Sequence, residues 1–284
     1  MEEQTKRYGV IDMNTGSLIT EFEEGSVSIR TKKQDEYYQM KLMQTELQKD
    51  YGPFVFLLYT MKEDLNFNIA DASLTRLIYL STFLGYKGYL ITDNGISITK
   101  RICKDKLGLS ENTFSLFWNE MINNNIFEYK EKRIFMDKNM FCKGKIKTDK
   151  NAIRLNCETV RYLYEHCQSI SNHKKLSNLF KVIPWLNREW NIVCWNPDET
   201  ERDRVKYMTL GDFAEKMGYD RSNAKRLAKD LSKVTFYKKG EYEKKRAFLY
   251  VVDKDFAPDQ WIVVMNPLVL YSGQNYKNVR GFEF

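Results

Sequence analysis

Ten Lys/Arg side chains crowd the segment from Asp220 to Arg246: Arg221, Lys225, Arg226, Lys229, Lys233, Lys238, Lys239, Lys244, Lys245 and Arg246. Only four acids, Asp220, Asp230, Glu241 and Glu243, oppose them there, while the whole 284-residue chain has a net charge of +7. Cations gathered in this way attract a phosphate backbone. On a helix starting after Asp220, Arg221, Ser222, Lys225 and Arg226 share an outward arc with Lys229 one turn later. Ala224, Leu227, Ala228 and Leu231 face inward at three- and four-residue spacing. Arg, Asn or Ser in the first half of a helix in the major groove can bond to base edges, the role expected of Arg221, Ser222, Asn223 and Arg226. Lys225, Lys229 and Lys233 suit phosphates. Lys238, Lys239, Lys244, Lys245 and Arg246 flank the tip of a following hairpin. The expected partner is double-stranded DNA; the plainer reading is a solvated charged face.

The element that must position these residues occurs twice. Thr99–Met121 and Thr209–Leu231 align at a constant offset of 110 positions, Thr99 on Thr209, Leu107 on Met217, Gly108 on Gly218, Phe117 on Leu227 and Met121 on Leu231. Each copy reads as a short helix, a glycine free to take positive φ, a polar N-cap two residues on, and a second helix. Thr209 and Asp212 have the spacing of a capping box. The charge is unequal between copies, because Glu111–Ile122 holds two acids and no cation. There Ser115, Trp118 and Asn119 are outward, with Phe127 nearby, a set that points to a protein contact: a homodimer, or a host replication or transcription protein. Trp118 is either exposed or tucked under the neighbouring hairpin.

Other chemistry is poorly represented. No Gly-rich loop ending in Gly-Lys-Ser/Thr is present, and the two histidines, His166 and His173, fit no metal pair or HisGluXxxXxxHis site. Cys157, His166, Cys167 and His173 have the spacing of no common zinc finger. Five irregularly spaced cysteines suit reduced thiols better than a disulfide framework. No catalytic residue, metal or cofactor is expected, and the chain is not read as an enzyme. Trp185, Trp190 and Trp195 form an aromatic stretch expected to pack in the core rather than stack on bases.

Residues 8–21 alternate around AsnThrGly as a β-hairpin, and 22–36 read as a loose charged connection. Helices are expected at about 53–64, with Pro53 at the first position, and at about 70–85, on the stripe Leu74, Leu77, Ile78, Leu80 and Phe83. A short strand and turn over 89–95 precede Thr99, and a hairpin over 126–136 follows the second helix. The order then repeats: helices at Glu158–Cys167 and His173–Arg188, with Pro184 ending or kinking the latter, a charged loop at 196–204, and a hairpin at Phe236–Val252. A third match lays 134–144 on 263–273, both ending in glycine. The expected fold is therefore α+β, mainly helical: two tandem winged helix-turn-helix domains with β-hairpin wings, 37–148 and 149–284, preceded by an N-terminal hairpin and connection, 1–36. The first domain is assigned to dimerisation or partner contact, the second to DNA. The longest apolar stretches fall short of a membrane span, and the polar N-terminus has no signal-peptide core, so a cytoplasmic protein is expected.

Residues Leu74 to Gly144, through LysLeuGlyLeuSerGluAsnThrPheSerLeuPheTrpAsnGluMet and the hairpin ending MetPheCysLysGly, resemble winged-helix units of Gram-positive plasmid and phage replication proteins, including RepL-type and MarR-like groups. The two-module layout is similar to iteron-plasmid initiators, in which a first winged helix mainly dimerises and a second binds origin DNA. The resemblance implies a replication initiator or origin-binding protein without its own ATPase or nuclease. A transcription regulator of a mobile element is the alternative, and a replisome or polymerase interaction protein a third.

Overall fold

A computed structural model describes residues 7–11, 15, 17–23, 31–32, 52–59, 68–146, 151–167, 169–238, 240–251, 261–273 and 279. The chain divides into two compact units, Met1–Asp50 and Tyr51–Phe284. In the first, β1 (Arg7–Ile11) and β2 (Leu18–Glu23) pair antiparallel with Tyr8 opposite Phe22. Most of the 22–36 connection lies outside the described residues.

The second unit is mixed α+β with small sheets. Its largest sheet centres on β3 (Phe54–Tyr59), where a helix is expected from the sequence. PheValPheLeuLeuTyr is an unbroken apolar run, and a run without period fits a strand covered on both faces as well as a helix. Here Val55 and Leu57 are fully buried, and Gly52, at φ 72°, turns the chain into the strand. β3 pairs antiparallel with β7 (Asn151–Asn156), from Phe54 opposite Asn156 to Tyr59 opposite Asn151. β6 (Phe141–Cys142) borders β3 and β12 (Leu270–Tyr271) borders β7, giving the order β12-β7-β3-β6.

That order is symmetric about the β7–β3 pair, since β3 and β7 each open a repeat and β6 and β12 each close one. The turn before each closing strand is the same at the 129-residue offset of the third sequence match. Met140 and Phe141 N–H donate to the Asp137 carbonyl, and Val269 and Leu270 N–H to the Asn266 carbonyl. Asp137 Oδ1 accepts from Asn139 N–H and Asn266 Oδ1 from Leu268 N–H, each at 2.9 Å.

Helices repeat the relation. α1 (Asp71–Ser81) packs on α5 (Ile170–Lys181), its counterpart in the second repeat, and is buried on nearly every side rather than along one stripe. Between them in sequence run α2 (Lys100–Leu107), α3 (Glu111–Asn123), the hairpin β4 (Phe127–Lys130) and β5 (Arg133–Met136), and α4 (Cys157–Glu165). From α4, the Arg161 guanidinium donates to the Thr82 carbonyl at 2.8 Å and lies 3.8 Å from the Phe83 ring centre. The boundary expected at 148/149 thus falls inside one compact unit, between β6 and β7. Pro184 sits in a 3-10 turn, Ile183–Trp185, after α5 has ended at Lys181. Among the described residues, no helix is long and apolar enough to cross a membrane.

Where the repeats meet, Tyr79 stacks on Tyr164 (4.0 Å) and Tyr164 on His173 (4.5 Å). His173 is 2% exposed, and among the described residues neither ring nitrogen has a hydrogen-bond partner. Burial, and then the Arg76 guanidinium, push its pKa down to about 4. The neutral ring is favoured in the folded state, so the stability tied to it is complete above the ordinary pKa near 6.5 and is lost as pH falls toward 4. Replacing His173 with Phe is expected to flatten the fall in urea midpoint between those pH values. An unchanged pH profile would show that His173 does not contribute to it.

Candidate nucleic-acid interface

Both copies of the helix pair are built by local backbone chemistry. Thr99 caps α2 by accepting from Ile102 N–H, Gly108 ends it at φ 62°, and Ser110 caps α3. In the second copy Thr209 and Asp212 form a reciprocal capping box at the start of α6 (Leu210–Lys216). Gly218 follows at φ 82°. Asp220 then caps a 3-10 turn, Arg221–Asn223, which continues as α7 (Ala224–Leu231) instead of the uniform helix expected from Asp220. The hairpin of β8 (Thr235–Tyr237) and β9 (Lys244–Arg246) comes next. Past Ala247 the second arm becomes β10 (Phe248–Val251) and switches partner to β11 (Ile262–Met265).

α7 orients as its spacing predicts. Ala224, Leu227, Ala228 and Leu231 are buried, while Lys225, Arg226 and Lys229 are exposed. Among the described residues, no acid pairs with these three cations.

The other expected DNA contacts divide. Arg221 is not a free reader: its guanidinium donates to Asp212 Oδ1 at 2.8 Å and lies against Gly211, where an added Cβ would come within 2.8 Å of Arg221 Nε. Arg221 therefore holds α6 to the start of the second helix. Partial burial would raise the Asp212 carboxyl, but bonds from Thr209 and Arg221 outweigh it and hold the pKa below its ordinary value. Ser222 is spent on the cap, bonding to Asp220 through both N–H and hydroxyl, and Asn223 is half-buried. Lys233 lies 3.7 Å from Asp230.

On the hairpin, the pleat decides. Lys245 faces inward opposite Phe236, is 8% exposed and pairs with Glu241, which also takes Lys238 at 2.9 Å. Neither lysine is the open phosphate contact expected of it. Lys244 and Arg246 point to the exposed face, and Lys239 lies outside the described residues.

In the first repeat, Ser115 and Asn119 are exposed on α3 as expected, but Trp118 (6% exposed) and Phe127 are core residues. The Trp118 ring meets Phe114, Phe127 and Tyr129 within 6.0 Å and lies under Lys100 Nζ at 4.9 Å, so the hairpin covers it. The two apolar members of the set expected to contact a protein partner, Trp118 and Phe127, are therefore inside the molecule. On α3 itself Leu116 is an apolar residue left 73% exposed, missed in the sequence pattern; the 110-residue offset puts it opposite Arg226. The ion pair joining the two helices is reversed in polarity between repeats, Lys104 with Glu111 in the first and Asp212 with Arg221 in the second.

Trp185 and Trp195 meet edge to face at 5.8 Å with Lys216 Nζ just over 5 Å from both ring centres, and Trp195 is exposed rather than core. No group of three or more His, Cys, Asp or Glu side chains among the described residues is arranged to hold a metal ion. Comparison with protein-family models, with curated proteins and with solved structures gives no match.

Proposed function

We propose that the chain binds double-stranded DNA in a sequence-specific way through its second repeat, as a phage or plasmid replication initiator or origin-binding protein. In this reading each repeat is a winged helix-turn-helix unit. α7 enters the major groove and the β8–β9 hairpin is the wing. The observation that carries it is the row Lys225, Arg226 and Lys229, three exposed cations on the outer face of α7 that have no acidic partner among the described residues. Ser115, Leu116 and Asn119 occupy the matching positions of α3 and offer no charge to a phosphate, which assigns α3 a lesser part. Lys244 and Arg246 add backbone contacts from the hairpin, and Arg221 with Asp212 fixes the approach of α7. No catalytic residue is assigned.

Titration of a labelled duplex over a range of salt concentrations tests the reading. The logarithm of affinity is expected to fall linearly with the logarithm of salt, and Lys229→Ala or Lys244→Ala to shallow that slope by about one each. A slope unaffected by either variant would remove both residues from the interface.

A further inference from the structure

We propose that the exposed face of the β8–β9 hairpin, together with the end of α4, is a stacking platform for single-stranded nucleic acid. The antiparallel register sets Tyr237 opposite Lys244 and Thr235 opposite Arg246, so these four side chains share one face of the hairpin. The other face carries Phe236 and Lys245 inward. Tyr237 keeps 42% of its surface exposed, directly opposite Lys244 and diagonal to Arg246.

α4 packs along β8 and extends the aromatic surface. The ring of Tyr162 stands edge-on to Tyr237 at 6.0 Å and 77°, and the His166 imidazole stacks on Tyr162 at 3.8 Å and 17°. His166 is exposed, and its Nδ1–H donates to the Tyr162 carbonyl at 2.8 Å, which fixes the ring plane. The rings are thus held in place before any ligand arrives.

Rings oriented in this way, flanked by cations, match the chemistry of an unpaired strand, whose bases offer flat faces and whose phosphates offer charge. A duplex presents base edges and hides the faces, so it has no use for Tyr237, Tyr162 or His166. An apolar peptide would want aliphatic surface, whereas each of these rings carries a polar edge and the neighbours are Lys244, Arg246 and Thr235. The platform is additional to the duplex reading and shares only Lys244 and Arg246 with it.

The test uses the full chain in fluorescence-anisotropy titrations with oligo-dT, oligo-rU and an abasic strand, each of about 12 nucleotides, and with a duplex. Oligo-dT or oligo-rU is expected to bind more tightly than the abasic strand. Tyr237→Ala and His166→Ala are each expected to weaken that binding about tenfold. Tyr237→Phe should restore it, and the abasic strand and the duplex should be unaffected, which also shows that the variants are folded. Abasic and base-bearing strands binding equally, or both alanine variants binding like the parent, would overturn the platform. Loss of duplex binding in Lys225→Glu/Arg226→Glu with strand binding retained separates the two sites. Strand binding without any duplex binding leaves the platform standing and removes the duplex reading alone.

Discussion

Exchanging Lys225 and Arg226 together for glutamate is expected to reduce duplex affinity by two orders of magnitude or more, roughly the loss of two charge-assisted contacts with repulsion added. Both side chains are exposed on α7 without acidic partners among the described residues, so the exchange removes no ion pair from the fold. Its cost should appear in binding and not in thermal stability. The matching exchange in the first repeat, Ser115 and Asn119 to glutamate, is expected to cost less than about tenfold, because it introduces repulsion at a distance without removing a contact. Equal losses from the two helices would contradict separate roles for the repeats.

A second large effect concerns folding. Cutting the chain between β6 and β7 is expected to leave neither repeat folded alone. Val55 and Leu57 on β3 and Ile153 and Leu155 on β7 are fully buried along the strand pair that joins the repeats. At about 1.5–3 kcal/mol each, these four side chains represent about 6–12 kcal/mol, comparable to the whole stability of an ordinary domain. The cut also opens two central strands as edges, which invite aggregation. A fragment covering 149–284 should therefore show no cooperative melt by circular dichroism, and adding 51–148 should restore one. A lone 149–284 fragment melting near the temperature of the full chain would show that the repeats are independent domains.

What could be read from the sequence follows from the range over which each feature is determined. The helix pairs were legible because their determinants are a few residues apart: Thr99 and Thr209 cap locally, and Gly108 and Gly218 take a backbone conformation that L side chains resist. The inward and outward faces of α7 follow from one three-to-four-residue period. The strand at 54–59 was not legible, because PheValPheLeuLeuTyr carries no period and its partner β7 lies about a hundred positions away. Trp118 could not be placed from α3 alone, since the hairpin that covers it comes later in the chain. A count of charges weighs every lysine alike, whereas Glu241 occupies Lys238 and Lys245, and Asp212, nine residues earlier, occupies Arg221. The platform rings Tyr162, His166 and Tyr237 left no signal, because α4 and β8 are distant in sequence and meet only in the fold.

Base reading by α7 can be measured by selecting bound duplexes from a randomised pool. The parent chain is expected to enrich one short motif, and Lys225→Glu/Arg226→Glu to enrich none. Recovery of a pool as random as the input by the parent chain, or the same motif from the charge-reversed variant, would contradict base reading by α7.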